Sequence, residues 1–287
     1  MAAILLDGEA VAARIKAEVG DRAATLAREG IHVGLGTILV GDDAPSARYV
    51  SLKHEDCAAL GIHSVGEHLP ATATQAEVME AIARFNGDPK VSAYLVQLPL
   101  PAGLDEERAL LGVDPAKDAD GLHPVNLGRL VLGTPGPLPC TPAGIVELLH
   151  AYDVPVEGAH AVIIGRGVTI GRPLANLLTL KRPGLNAAVT VVHTGVARED
   201  MMRIVRTGDI VVAAAGQPHV LTADMVQPGA AVVSAGTSFE GKKLVPDAHP
   251  DVAEVAGWIT PRLGGVGPMT RAMLLRNALR AAEVSAR

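Results

Sequence analysis

Gly165, Gly167 and Gly171 occur in HAVIIGRGVTIGRPLANLLTL as GxGxxxG, between an apolar run and an amphipathic one. The order is strand, glycine turn, helix, a variant of the GxGxxG dinucleotide fingerprint. Glycines there allow a tight turn and let phosphate oxygens approach backbone N–H groups, while the helix N-terminus adds partial positive charge. The bland alternative is a glycine-rich connection that binds nothing. A unit built for NAD places Asp or Glu at the end of its second strand, on the ribose 2′-hydroxyl. Here that strand ends at Val192, His193 and Thr194, and residues 165–198 contain no acid. Arg166, Arg172, Lys181 and Arg182 lie in the same stretch. A 2′-phosphate favours Arg and rejects a carboxylate, so the pattern points to NADP over NAD. Lys181 and Arg182 read as solvated helix charges; Arg166 sits inside the turn.

Other polar residues have a structural and a chemical reading. Tyr49 and Lys53 are four apart on a helical pattern and share one face. Unaided, that is a surface charge with its stem packed on a ring. Gln97 ends an apolar run beside Pro99, where a polar side chain needs hydrogen-bond partners and capping the strand end is the plain reading. Asp120 belongs to the acidic string KDADG, and an Asp-Gly pair commonly just forms a turn. Gly264, Gly265 and Gly267 read as a hinge or C-cap loop. The ten His residues show no HExxH or comparable ligand spacing, so no metal is expected. Cys57 and Cys140 form no CxxC pair or disulfide framework, which fits a reducing cytoplasm.

These residues need elements to hold them. Residues 7–30 read as a helix capped by Asp7, with Val11, Ile15 and Val19 at helical spacing and Gly30 closing it. Residues 33–40 read as a buried strand, 46–60 as a helix ended by Gly61, 74–85 as a third helix, and 93–98 as a strand stopped by Pro99 and Pro101. Residues 112–139, rich in Gly and Pro, read as a long functional loop or linker. Thr141 then caps a helix with Pro142 in its first turn. Strands are expected at 160–165, 188–193, 209–214 and 229–234, and a last helix at 269–284. Strands separated by helices imply an α/β fold with mostly parallel sheets.

The chain has 287 residues, long enough for two domains. Hydrophobic residues make up 48%, which supplies a core, but aromatics only 2%, too few for a nucleic-acid stacking platform. A net charge of −6 argues against general phosphate-backbone binding. No apolar run approaches a membrane span, and the N-terminus lacks a signal-peptide pattern.

Six strings occur together, in order: VGDDAPSARYVSLK, LVQLPLP, KDADGLHPVNLGRL, PCTPAGI, GRGVTIGRP and GGVGPMT. With them the chain resembles, over essentially its whole length, the bifunctional methylenetetrahydrofolate dehydrogenase/methenyltetrahydrofolate cyclohydrolase family. The resemblance implies a folate-binding catalytic domain over 1–140, completed by 263–287, and a Rossmann NADP-binding domain over 141–262. It implies a homodimer formed through the Rossmann domain, with neither nucleic acid nor membrane as partner. The implied reactions are oxidation of 5,10-methylenetetrahydrofolate by NADP and hydrolysis of the methenyl product to 10-formyltetrahydrofolate, in one-carbon supply for purine and methionine synthesis.

By the same resemblance Lys53 is the proton-transfer group of the hydrolysis, Tyr49 stacks on or positions folate, Gln97 partners the Lys, and Asp120 binds the pterin edge. Val96, Leu98, Gly264, Gly265, Gly267, Pro268 and Met269 would line the folate pocket. Gly165, Arg166, Gly167, His193, Thr194 and Thr237 would hold NADP. Ser46 matches a family Ser near the active helix, and Asp118 reads as structural. Departures concentrate in the Rossmann half: GRG for GRS, VVSAGT for VIDVGI, Val196 for Thr and Leu263 for Pro. Ala44–Pro45–Ser46 replaces PAS but keeps Tyr49 and Lys53 in register. Two alternatives follow: a cyclohydrolase with weak or lost dehydrogenase activity, and a folate- and nucleotide-binding protein without turnover.

Overall fold

A computed structural model describes residues 2–241 and 243–286. In chain order the elements are β1 (Ile4–Leu5), α1 (Gly8–Arg28), β2 (Gly34–Val40), α2 (Ala44–Ala59), β3 (His63–Leu69), α3 (Gln75–Gly87), β4 (Ala93–Val96), α4 (Glu106–Gly112), α5 (Pro124–Leu132) and α6 (Cys140–Ala151). There follow β5 (His160–Ile164), α7 (Gly171–Leu178), β6 (Ala188–Val192), α8 (Arg198–Val205), β7 (Ile210–Ala213), β8 (Ala231–Ser234), β9 (Thr237–Glu240), β10 (Lys243–Pro246), β11 (Trp258–Ile259) and α9 (Val266–Ser285).

The chain divides into two compact units. One comprises Ala13–Cys140 with Arg271–Arg287, the other Met1–Ala12 with Thr141–Thr270. The first is built on a parallel sheet of order β3-β2-β4. All seven β2 residues are buried, as a central strand covered on both faces requires. Phe85 of α3 and Tyr94 of β4 meet at 5.3 Å between ring centroids in the core with Ile38, Ile82 and Val96. Thr74 caps α3 through a reciprocal box with Glu77, a device worth about 1 kcal/mol.

The other unit carries a six-stranded parallel sheet, β1-β11-β8-β7-β5-β6, with β9–β10 as a separate antiparallel hairpin. Its strands bury Val162, Ile164, Val211 and Val232 completely or nearly so. The order reverses at β5, with β6 on one side and β7 on the other; ligands of doubly wound sheets bind outside the strand C-termini at such a point.

Several expectations change. Residues 2–12, placed by sequence with the folate domain, group with the six-stranded unit, where β1 pairs in parallel with β11. The 112–139 stretch is not all loop. It contains α5, whose start His123 caps through Nδ1 and whose end Gly133 closes at φ 68°. Only Asn126 and Leu130 of α5 are buried, so the apolar period was faint. The sixth helix starts at Cys140, placing Thr141 inside it. The last starts at Val266, three residues before the expected Met269, placing Gly267 and Pro268 in its first turn instead of a preceding loop. Among the described residues no helix is long and apolar enough to cross a membrane.

Candidate active site

In the three-stranded unit, α2 starts where the Asp43 carboxylate accepts the Ser46 N–H at 2.9 Å and Pro45 fixes the first turn. Ser46 and Cys57 are the buried positions of the helix. Tyr49 is 54% exposed, and Lys53, one turn on, is half-buried. Lys53 Nζ donates to Gln97 Oε1 at 3.0 Å. Gln97 stands just past β4, between buried Val96 and Leu98, and its backbone N–H extends the ladder to Ile38 O at 2.8 Å. Its Nε2 donates to Leu98 O at 2.7 Å. A carbonyl only accepts, so that contact fixes the amide nitrogen there and turns Oε1 toward the amine. Of the two orientations open to Gln97, the acceptor is the one present.

Asp120 is half-buried. Burial raises its carboxyl above the ordinary carboxylate range, the Lys53 charge opposes this, and Asp118 adds to it. Asp118 is structural, as its sequence suggested: its oxygens accept Gly121 N at 3.0 Å, His123 N at 2.8 Å and Asn126 Nδ2 at 2.9 Å. The segment before Asp120 is pinned from α9, where buried Asn277 donates through Nδ2 to Ala119 O and Leu138 O, both at 2.9 Å. The Cys140 thiol donates to Ala119 O at 3.2 Å, and burial among these groups pushes its pKa well up, consistent with a packed thiol.

Sequence reasoning missed three supports. His54 sits beside Lys53 and meets Thr37 Oγ1 of β2 at 2.9 Å; burial and then the Lys53 charge lower its pKa, favouring a neutral ring. Asp56 takes Lys16 Nζ at 2.5 Å and Arg271 Nε at 2.9 Å, all three mostly buried, tying α2 to α1 and α9. Asn277 is the third. None has a local signal, since each depends on partners remote in sequence.

In the other unit β5 runs into the glycine turn. A Cβ on Gly165, which has φ 125°, would lie 2.2 Å from Ala214 O, and one on Gly171 would lie 2.2 Å from Gly165 O. Only glycine permits these approaches. Gly167 faces open space. The turn borders a cavity of about 330 Å³ whose lining includes Arg166, His193, Thr194, Arg198 and Gln217. Arg166 Nη1 lies 3.4 Å from His193 Nε2. No side chain caps the N-terminus of α7, where the Arg172 N–H donates to Gly167 O at 3.1 Å and Pro173 has no N–H to satisfy. A dinucleotide fits this arrangement: open backbone at Gly167 and a guanidinium at the strand ends, with no carboxylate on the lining. Thr237, at the start of β9, is outside that lining.

The residues named for folate fall into both units. Tyr49, Lys53, Val96, Gln97, Leu98 and Asp120 are in one; Gly264, Gly265, Gly267, Pro268 and Met269 are in the other. There Gly264, at φ 80°, accepts the Glu9 N–H at 3.0 Å, and Met269 is fully buried.

Residues 6–120 match the family model for the tetrahydrofolate dehydrogenase/cyclohydrolase catalytic domain, and residues 139–286 that for its NAD(P)-binding domain. The chain is 57% identical over its full length to the bifunctional protein FolD of Syntrophotalea carbinolica, covering 98% of it. Among solved structures it is similar to the bifunctional FolD of Campylobacter jejuni, at 41% identity and TM-score 0.94, covering 99% of this chain and all of that one. It is also similar to the Trypanosoma brucei enzyme complexed with NADP cofactor and inhibitor, at 39% identity and TM-score 0.94, covering 100% of this chain and 99% of that one. The chain belongs to the tetrahydrofolate dehydrogenase/cyclohydrolase family.

Proposed function

We propose that this chain performs both reactions of its family: NADP-dependent oxidation of 5,10-methylenetetrahydrofolate, then hydrolysis of the methenyl product to 10-formyltetrahydrofolate. The Lys53–Gln97 contact carries the reading, because it holds an amine, oriented by an amide oxygen, beside the Asp120 carboxyl. Lys53 is the group that transfers the proton as water adds to the methenyl carbon. Gln97 fixes where the amine points. Asp120 as carboxylate accepts two N–H bonds from the aminopyrimidinone edge, and exposed Tyr49 offers a ring face to the folate. Val96 and Leu98, beside Gln97, shape the folate contacts on the same unit.

NADP, when bound, accepts the hydride from the methylene carbon. Gly165 and Gly167 bring backbone to its pyrophosphate, Arg166 meets the 2′-phosphate, and His193 and Thr194 border the ribose side. Thr237 would be a further cofactor contact, by family likeness. The chain's task in this step is alignment, a proximity effect that needs no acid or base. The family likeness extends the proposal to a cytoplasmic homodimer.

Supplying methylenetetrahydrofolate and NADP while following NADPH formation and methenyl decay together tests the reading. Both signals in sequence support it. Methenyl hydrolysis alone would leave only the cyclohydrolase, and binding without either signal would leave a non-catalytic folate and nucleotide binder.

A further inference from the structure

Asp247 is a carboxylic acid with no surface exposure. It follows β10, held by its own N–H to Gly236 O at 3.2 Å and by its carbonyl, which accepts Leu221 N at 3.1 Å. Burying a carboxylate is expensive unless hydrogen bonds compensate for lost water. Oδ2 has them: Ala215 N donates at 2.6 Å and Gly216 N at 2.9 Å. Oδ1 is buried with no partner among the described residues. Burial raises the carboxyl's pKa, while backbone N–H groups of Ala215, Gly216 and Gln217 hold it down.

The segment that Asp247 grips is itself exposed, and Ala214, Ala215 and Gln217 line the cavity beside the glycine turn. Ala214 O is the atom against which Gly165 packs. Gly216 adopts φ 63°, so successive N–H groups of the loop converge on one acceptor. On the far side, a Cβ on Gly236 would sit 2.1 Å from Oδ2, so residue 236 must be glycine for the carboxylate to reach the loop. Among the described residues, the 215 and 216 amides are thus anchored by a buried anion that is outside the cavity lining.

We propose that Asp247 is a positioning residue for the dinucleotide: its Oδ2 fixes the 215–217 loop that walls the cavity, and so sets cofactor affinity and dehydrogenation while leaving cyclohydrolase turnover alone. This rests on the reading of that cavity as the NADP site.

The test compares wild type with Asp247→Ala, Asp247→Asn and Gly236→Ala. It measures NADP binding by titration calorimetry, amide hydrogen exchange of residues 214–217 without cofactor, and cyclohydrolase kcat and KM. Asp247→Ala is expected to weaken NADP by about ten-fold or more and speed exchange at 215 and 216 by a similar factor. Its cyclohydrolase constants should stay within about two-fold of wild type, as suits a loop outside that chemistry. The amide oxygen of Asp247→Asn can take both N–H bonds, so it should restore NADP affinity to within about three-fold. Gly236→Ala pushes the carboxylate off the loop without removing it and should reproduce the Ala phenotype; it carries the test if Asp247→Ala does not fold. NADP affinity unaltered in Asp247→Ala or Gly236→Ala, an Asn variant as weak as Ala, or cyclohydrolase falling in step with NADP binding would each overturn the proposal. A wild type that does not bind NADP would overturn the cavity reading itself, and the role of Asp247 with it.

Discussion

Replacing Arg166 by alanine isolates the cofactor choice. The guanidinium stands in the glycine turn on the cavity lining, 3.4 Å from His193, and no carboxylate lies anywhere in residues 165–198 to compete for it. A charge-assisted bond to a phosphate oxygen is worth about 1.5–3 kcal/mol. Arg166 is exposed, so solvent screens it, and Arg198 remains on the same lining after the substitution. Both considerations favour the lower end, about 1.5–2 kcal/mol, which is roughly a twelve- to thirty-fold loss of NADP affinity. NAD has no 2′-phosphate and should weaken by less than about three-fold. The thermal midpoint should not move, because the removed side chain packs on the surface. Arg166→Lys should recover part of the difference through its charge without the fork geometry. The assay is the dehydrogenase KM for each dinucleotide at two ionic strengths, with the NADP penalty shrinking as salt rises. Equal weakening of NADP and NAD would show that Arg166 does not read the phosphate.

Asp120→Asn should weaken folate in both reactions, measured as KM, because a carboxylate takes one N–H bond on each of its two oxygens, whereas the amide offers one oxygen and turns an NH2 donor toward the second N–H. It should also raise the thermal midpoint at neutral pH. A carboxyl whose folded pKa lies above its unfolded value holds its proton better when folded, so its ionisation costs stability as pH rises through that window. On the binding side, folate KM in wild type should climb as pH falls through the raised pKa of Asp120, at a higher pH than an ordinary Asp would give. Asp56→Ala should lower stability by about 1–3 kcal/mol, seen in urea midpoints, because it strands Lys16 and Arg271, each mostly buried.

What the sequence revealed follows from where each signal lies. The buried strands β2, β4, β5 and β7 announce themselves as short apolar runs, and the cap and closing glycine of α1 mark its ends. The edge strand β3, HSVGEHL, has no fully buried residue and so no pattern to read. The fifth helix carried its marks, His123–Pro124 at the start and Gly133 at the end, inside a stretch whose glycines and prolines suggested a loop. Only the family resemblance points to the Lys53–Gln97 pair, since a separation of 44 residues leaves no local trace. Asp247, Asp56 and Asn277 escaped for the same reason. Each is an ordinary polar residue in sequence, and its role depends on a partner that only folding supplies.

Following NADPH formation and methenyl decay together in Lys53→Met tests the central claim, that one chain runs two reactions with separable residues. Methionine keeps much of the stem's volume and removes the amine that Gln97 orients. Proton transfer by a placed group is worth about 10²–10⁴ in rate, so methenyl hydrolysis should fall by that factor while NADPH formation stays measurable. Hydrolysis near the wild-type rate in this variant, or the two signals lost in equal proportion, would contradict the account.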